Sequence, residues 1–123
     1  PAAEHVNAGL LAGSPLGRGV LTGKYRTGIP ADSRAATPHF AEFVRPYLGE
    51  RSRRIVESVT TAAEGLGVSP LAVALSWVRD QPGVAAAIVG ARTQAQLVGV
   101  LESERLTLPL EIRQALDDVS APE

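Results

Sequence analysis

The 123-residue chain contains no cysteine, no methionine and few aromatic residues. Without cysteine it can form no disulfide bond, no thiol nucleophile and no thiolate metal site. Its two histidines, His5 and His39, lie far apart and have no companion motif, so they give no metal-binding signal. We expect both to be surface or partly packed side chains.

The sequence also lacks an excess of charge and a long hydrophobic run. Its net charge is −1 and its pI is about 6.2, so it carries no basic footprint for nucleic acid. Its apolar stretches are too short to span a membrane. We therefore expect a cytoplasmic protein without nucleic-acid or membrane partners. Because the chain begins with Pro1 and shows no signal-peptide pattern, we also expect it to be a piece of a longer polypeptide.

Residues 14–24 form the most informative stretch of the chain. They follow the apolar segment 9–12, so the pattern predicts a strand that ends in a glycine-rich loop. Glycine permits positive φ and a close approach of the backbone to a ligand. Exposed amides beside Arg18 and Lys24 suit a phosphate group. The loop therefore predicts an anion or nucleotide phosphate site at the C-terminal end of a strand; a tight strand-to-loop turn is the alternative.

The remaining elements follow from periodicity and capping residues. The sequence predicts helices at 50–65, 70–78, 93–102 and 109–119, a strand at 84–89, and a long proline-rich loop at 26–46. Gly65 and Gly67 are expected to end the first helix, Ser69 and Pro70 begin the second, and Thr93 with Gln96 forms a capping box for the third. Thr107 or Leu108 is expected to start the last helix. The short apolar run at 84–89 predicts a parallel strand covered on both faces.

Two further groups of side chains have simple structural interpretations. Trp77, the only tryptophan, lies in an apolar helix and is expected to pack in the core between helix and barrel. Arg51, Arg53 and Arg54 lie near a helix start and are expected to form a solvated face. The order strand, helices, strand, helix predicts an α/β fold with a parallel sheet, in a single segment covering residues 1–123.

Three pieces of the sequence resemble the aldo/keto reductase family, in particular its branch of potassium-channel beta subunits. Residues 14–24 are similar to the loop after strand 7, and residues 24–34 resemble the segment that follows it in that branch. Residues 88–92 with Gln96 are similar to the strand-8 loop and the helix after it. The resemblance implies the C-terminal part of a (β/α)8 TIM barrel, strands 7 and 8 with their helices. The barrel is incomplete here, because a whole one needs about 250 residues.

The same resemblance implies a binding site for NADPH. The positions that match it are Gly13, Ser14, Pro15, Leu16, Gly17 and Arg18 at the pyrophosphate and ribose, Lys24 and Arg34 at the adenosine end, and Gly90, Arg92 and Gln96 on the second loop. Lys24 and Arg34 match positions near the phosphate that separates NADPH from NADH. Asp32 falls where the branch can have a tyrosine, and it is expected to orient Arg34.

The second loop also has two interpretations that can both be true. A helix N-terminus favours anions, so Arg92 and the amides around it could hold a phosphate. An ordinary capped helix start is the simpler interpretation. Gly99 and Val100 stand where the family usually has a Glu-Asn pair that holds adenine. This departure implies weaker cofactor binding or a different seat for the adenine.

The catalytic residues of the family do not appear in this chain. The family uses a tyrosine acid with lysine, aspartate and often histidine, all from the first half of the barrel, and neither Tyr25 nor Tyr47 lies in the matching context. We assign no catalytic residue. The resemblance implies reduction of a carbonyl substrate in a parent protein, with the missing N-terminal part of the barrel as partner and possible self-association. The alternatives are a non-catalytic cofactor-sensing or interaction module, and a small helical domain of unrelated function.

Overall fold

The computed structural model describes residues 2–26 and 28–122. Its helices and strands are α1 (Ala2–His5), β1 (Leu10–Ala12), α2 (Pro38–Val44), α3 (Glu50–Leu66), α4 (Pro70–Arg79), β2 (Val84–Ala87), α5 (Gln94–Glu102) and α6 (Leu110–Ser120). Short 3₁₀ turns lie at Gly17–Thr22, Arg34–Ala36, Arg45–Tyr47 and Ser103–Arg105. The predicted α/β class is confirmed, with more helix than strand.

β1 and β2 form a two-stranded parallel sheet, as the order of elements predicts. Leu10 pairs with Val84 and Ala12 with Ala87, with a register shift after Leu10. At the far end of the pair, the amide of Ile88 donates to the carbonyl oxygen of Ala12 at 2.8 Å. Because the strands are parallel, both carboxyl ends lie at the same edge of the sheet.

Helices α3 and α4 form because their apolar faces and capping residues agree. The hydroxyl of Ser69 accepts from the amide of Ala72 at 3.1 Å, which caps α4 as predicted. Gly67 ends α3 with a left-handed φ of 67°, whereas Gly65 lies inside the helix and does not end it. Within the described ranges no single helix is long and apolar enough to cross a membrane. α3 and α4 reach that criterion only as a pair, which is bent by 104°.

The core consists of two clusters of buried side chains. The larger joins α3, α4 and α6 through Val59, Ala63, Val73, Ala74, Leu108 and Leu116. The smaller joins the turn after β1 to α2 and α3 through Val20, Ala35, Val44 and Val56. Trp77 packs beside the larger cluster, as predicted, and its indole N–H donates to Asp117 at 2.8 Å.

The predicted long loop at 26–46 is wrong in one respect, because this segment contains helix α2 and two 3₁₀ turns. Proline stands at the start of α2 and of the 3₁₀ turn Arg45–Tyr47, where a missing amide costs nothing. Val44 at the end of α2 is fully buried against the smaller cluster. The helix therefore depends on a tertiary contact that local periodicity does not reveal.

Three smaller expectations are also corrected. The last helix begins at Leu110 with Pro109 as N-cap, so neither Thr107 nor Leu108 starts it. β2 ends at Ala87, and two of its four residues are exposed, so it is not covered on both faces. Apolar side chains of this two-stranded sheet are exposed to solvent, and further strands or helices packed on the sheet would cover them.

A polar link ties α4 to the end of α5. The Arg79 guanidinium donates to the carbonyl oxygens of Ser103 and Leu106 at 2.7 and 2.6 Å. It also donates to the Asp80 carboxylate at 2.9 and 3.0 Å. These hydrogen bonds from Arg79 hold the pKa of Asp80 below its ordinary value of 3.8. The carboxylate keeps the guanidinium aimed at the two carbonyls.

Replacing Asp80 by asparagine should destabilise the full-length protein in a pH-dependent way. The folded pKa of Asp80 is lowered, so its contribution is complete above 3.8 and is lost as the pH falls through the folded value. We expect Asp80→Asn to lower the free energy of unfolding by about 1 kcal/mol at pH 7 and by less below 3.8. Urea unfolding at several pH values measures this. Asp118→Asn, an exposed position on α6, is the control; a gap that widens in acid would contradict the prediction.

The exposed apolar surface generates a second prediction. Leu11 and Ile88 at the sheet, and Leu97 and Leu101 on α5, are all exposed to solvent, and the sheet has two unpaired edges within the described residues. Such surfaces favour association, and a two-stranded sheet is marginal by itself. We expect the 123-residue chain, expressed alone, to self-associate or to unfold without cooperativity in ultracentrifugation and thermal melting. A monodisperse monomer with a cooperative melt would show that these faces need no partner.

Candidate functional site

The parallel sheet brings the two predicted phosphate-binding loops to one edge. The first loop leaves β1 at Gly13, and the second leaves β2 and passes through Gly90 to Arg92. The hydrogen bond from the Ile88 amide to the Ala12 carbonyl oxygen joins the two strands at the point where the loops begin. Ligands of parallel α/β sheets commonly bind at this end of the strands. The sheet therefore provides a scaffold for one site built from both loops.

The first loop has an unusual run of left-handed backbone. Ser14, Gly17, Arg18, Gly19 and Gly23 all have positive φ, between 49° and 97°. The amide of Gly17 donates to the carbonyl oxygen of Ser14 at 2.9 Å, and that of Gly19 donates to Leu16 at 3.0 Å. These two amides are committed to the shape of the loop. Any phosphate contact from the backbone must therefore come from neighbouring amides.

Arg18 is partly buried, and its side chain contacts the segment that follows the loop. Its guanidinium carbon lies 5.2 Å from the ring centre of Phe43 and 5.4 Å from that of Tyr47. The guanidinium also donates to the carbonyl oxygen of Phe43. These are cation–π contacts with an added charged hydrogen bond. The cation that the sequence places at the pyrophosphate is thus held by α2 and the turn after it.

Lys24 lies over the other side of the same loop. Its ammonium nitrogen is 5.2 Å from the ring centre of Tyr25. A Cβ built on Gly19 would lie 2.8 Å from both the terminal carbon and the nitrogen of Lys24. Glycine at position 19 therefore gives the lysine room to cross the loop. Lys24 itself is exposed and can meet a ligand at the surface.

The second loop ends in a well-capped helix. The hydroxyl of Thr93 accepts from the amide of Gln96 at 3.2 Å, which confirms the predicted N-cap of α5. The Gln96 side-chain oxygen accepts from the amide of Arg92 at 2.8 Å, one residue before the position expected for a capping box. The amides of Arg92 and Gln96 are thereby occupied, and the side chain of Arg92 is exposed and can meet an anion.

The other predicted residues are placed less directly. The side chain of Arg34 lies outside the described residues, and so does the expected contact from Asp32. Gly99 and Val100 lie in the middle of α5 and are partly buried. Pro15 and Leu16 are partly buried within the first loop, where Leu16 packs against the larger core cluster.

The remaining polar candidates have structural partners. The Tyr25 hydroxyl accepts from the amide of Ala35 at 3.2 Å. Arg51 is exposed, as expected, and it also donates to the carbonyl oxygens of Ser120 and Ala121 at the end of α6. Among residues 2–26 and 28–122, no three histidine, cysteine or acidic side chains are grouped to hold a metal.

A charged pair fastens the chain after the first loop to α3. The guanidinium of Arg26 donates to both carboxylate oxygens of Glu57 at 2.9 Å. These hydrogen bonds hold the pKa of Glu57 below its ordinary value. Both side chains are exposed, so the ion pair contributes little to the free energy of folding. Its effect is to hold the chain after the first loop beside α3.

A cavity of about 610 Å³ lies behind the first loop, between the sheet and the helices. Leu10 and Ala12 line it from β1, and Ile55, Trp77 and Leu116 line it from α3, α4 and α6. Most of its lining is apolar, which does not suit a phosphate. Gly13, Ser14, Pro15 and Gly17 of the first loop also line the cavity, so it adjoins the candidate site.

Sequence reasoning missed Phe43 and Tyr47 as residues of the candidate site. Both lie far along the chain from Arg18: Phe43 is inside the segment 26–46 that was expected to be a loop, and Tyr47 directly follows that segment. The one signal that could have found them is the presence of several aromatic residues in residues 40–47, in a chain that has few.

Comparison with known proteins gives a consistent result. The profile of the aldo/keto reductase family matches residues 1–121. A probable voltage-gated potassium channel subunit beta from Oryza sativa subsp. japonica is 36% identical over 114 residues, which cover 92% of this chain and 34% of that protein. Protein tas from Escherichia coli (strain K12) is 40% identical over 111 residues, 89% of this chain and 31% of its own length. The uncharacterized oxidoreductase YrpG from Bacillus subtilis (strain 168) is 31% identical over 119 residues, 97% and 34% respectively.

The chain thus spans about a third of the length of these curated relatives. The family match runs through both strands, both strand-end loops and all the helices described above. The resemblance expected from the loop sequences is therefore confirmed: the chain belongs to the aldo/keto reductase family.

Proposed function

We propose that the full-length protein is an NADP(H)-dependent aldo/keto reductase that reduces a small-molecule carbonyl substrate. Family membership supports an oxidoreductase-type function, and this family typically uses a nicotinamide cofactor. In this proposal the chain supplies the cofactor-binding part, as strands 7 and 8 of a (β/α)8 TIM barrel with their helices. The catalytic tetrad lies in the missing N-terminal part of the barrel, which is the partner of this segment.

The observation that carries the proposal is the common edge of the two loops. β1 and β2 end side by side, so residues 13–18 and 90–92 leave the sheet together. A dinucleotide has two ends joined by charged phosphates, and it needs two such neighbouring loops to hold it. The first loop offers a closely approachable backbone, and the second offers Arg92 at the start of α5.

The predicted residues at the two ends of the cofactor have different physical roles in this proposal. Gly13, Ser14, Pro15 and Leu16 shape the backbone under the pyrophosphate. Lys24, Arg34 and Gln96 lie toward the adenosine end. When bound, NADPH supplies the hydride, and the groups of this chain bind and orient it.

A non-catalytic role in cofactor sensing is the second candidate. The relative from Oryza sativa carries the name of a potassium channel subunit, and Gly99 and Val100 replace the pair that usually holds adenine. A sensing subunit needs to bind the cofactor but need not turn it over. The two candidates therefore differ in turnover and agree in binding.

Fluorescence titration of the full-length protein with NADPH, followed by assays with aldehydes and ketones, tests the proposal. We expect saturable binding and NADPH-dependent turnover by the full-length protein, and no turnover by the 123-residue chain alone. Binding without turnover would favour the sensing role. Absence of binding to the full-length protein would overturn both candidates, and turnover by the chain alone would place the catalytic residues inside it.

Replacing Arg92 by alanine tests the second loop. Its exposed guanidinium can meet a phosphate there, so we expect Arg92→Ala to weaken NADPH binding about tenfold. The Kd from fluorescence titration measures the change. Arg105→Ala removes the same charge from the exposed 3₁₀ turn at the other end of α5 and should leave the Kd unchanged. Equal Kd values for wild type and Arg92→Ala would remove Arg92 from the site.

A further inference from the structure

Arg18 combines a disfavoured backbone with a tightly held side chain. It is not glycine, yet its φ and ψ are 58° and 31°, in the left-handed region. The glycines on both sides, Gly17 and Gly19, also have positive φ. A left-handed arginine is unfavourable by itself, so contacts elsewhere must hold it in this conformation.

The contacts that hold Arg18 come from one segment, residues 43–47. The guanidinium lies over the rings of Phe43 and Tyr47, at 5.2 and 5.4 Å. It also donates to the carbonyl oxygen of Phe43, in the last turn of α2, where carbonyl groups lack partners within the helix. A cation is favoured at this end of a helix. Arg18 thus satisfies the end of α2 while it fixes the centre of the first loop.

The guanidinium lies over the two rings and donates one of its N–H groups to the Phe43 carbonyl. A phosphate that drew it away from residues 43–47 would have to replace these contacts. Arg92, in contrast, is exposed on the second loop. The two arginines that sequence places at the cofactor are therefore in different situations.

We propose that Arg18 is a positioning residue, which latches the first loop to residues 43–47 and keeps the loop backbone in its binding shape, without contacting a phosphate itself. This inference rests on the proposed cofactor site. It assigns Phe43 and Tyr47 an indirect part in cofactor binding. Loss of either partner of the latch should then loosen the same loop, so the effects of the two losses should overlap.

A double-mutant cycle in the full-length protein tests the latch. We expect Arg18→Ala and Tyr47→Leu each to raise the Kd for NADPH about fivefold, and the double variant to be little weaker than either single variant. Tyr47→Phe keeps the ring and should bind as wild type. Arg18→Lys keeps the cation and should recover part of the loss. Wild-type binding by Tyr47→Leu, or effects that multiply in the double variant, would contradict the latch and favour Arg18 as a phosphate ligand.

Hydrogen exchange without cofactor separates this inference from the proposed function. Arg18→Ala should increase exchange in residues 16–23 and 38–47 of the full-length protein. Arg45→Ala is the matched control, because Arg45 belongs to the same segment but pairs with Glu42 at an exposed position. Unchanged exchange in Arg18→Ala would overturn the latch even if NADPH binds. NADPH could fail to bind the wild type while exchange rises in Arg18→Ala as expected. That result would overturn the proposed function and the role of the latch in binding, and it would leave the contact between Arg18 and residues 43–47 supported.

Discussion

The parallel pairing of β1 with β2 is the contact on which the candidate site depends. It is short, three residues against four, and hydrogen bonds fix it at both ends, from Leu10 to Gly83 and from Ile88 to Ala12. Small residues allow the close approach, since a Cβ on Gly9 would lie 2.8 Å from the Cβ of Ala85. A slip of one residue would turn every side chain of β1 to the other face and move the loops apart.

The helices keep this short sheet in place through packing more than through polar contacts. Residues 72–76 of α4 are buried, with Val73 and Ser76 inaccessible to solvent, and the helix contacts α3 and the turn after α5. Arg79 then ties the end of α5 to α4 through two carbonyl oxygens. The packing of the core around α4 therefore fixes the position of the second loop, while the residues of that loop remain exposed.

The sequence predicted what local rules decide and missed what distant contacts decide. α3 and α4 follow from periodicity, from Ser69 as N-cap and from Gly67 as C-cap, and all of these signals lie within a few residues of the elements they define. α2 was missed because its stability comes from Val44, buried against residues of other elements. Strand β2 was predicted correctly, but its coverage on both faces was not. An apolar composition shows that a strand has side chains to bury, and it does not show whether other elements of this chain cover them.

The same distinction explains the candidate site. Residues 13–18 and 90–92 were found because glycine, arginine and capping patterns are local, and the parallel order of the strands predicts that they share an edge. The partners of Arg18 were not found, because Phe43 lies in a segment that local rules assign to a loop and Tyr47 directly follows it. Composition could show that the first loop carries a cation, but only packing shows that two rings already hold it.

The position of the cations also bears on how such a site can bind a dinucleotide. Arg18 rests on Phe43 and Tyr47, and Lys24 rests on Tyr25, so both cations of the first loop lie on rings of the chain that follows it. A loop arranged in this way contributes to ligand binding more through its backbone conformation than through the charge of its side chains. The second loop differs, since the amides of Arg92 and Gln96 are occupied while the side chain of Arg92 is exposed. Under the proposed function, the backbone of one loop and the charge of the other act on the same ligand, and the sheet register sets the distance between them.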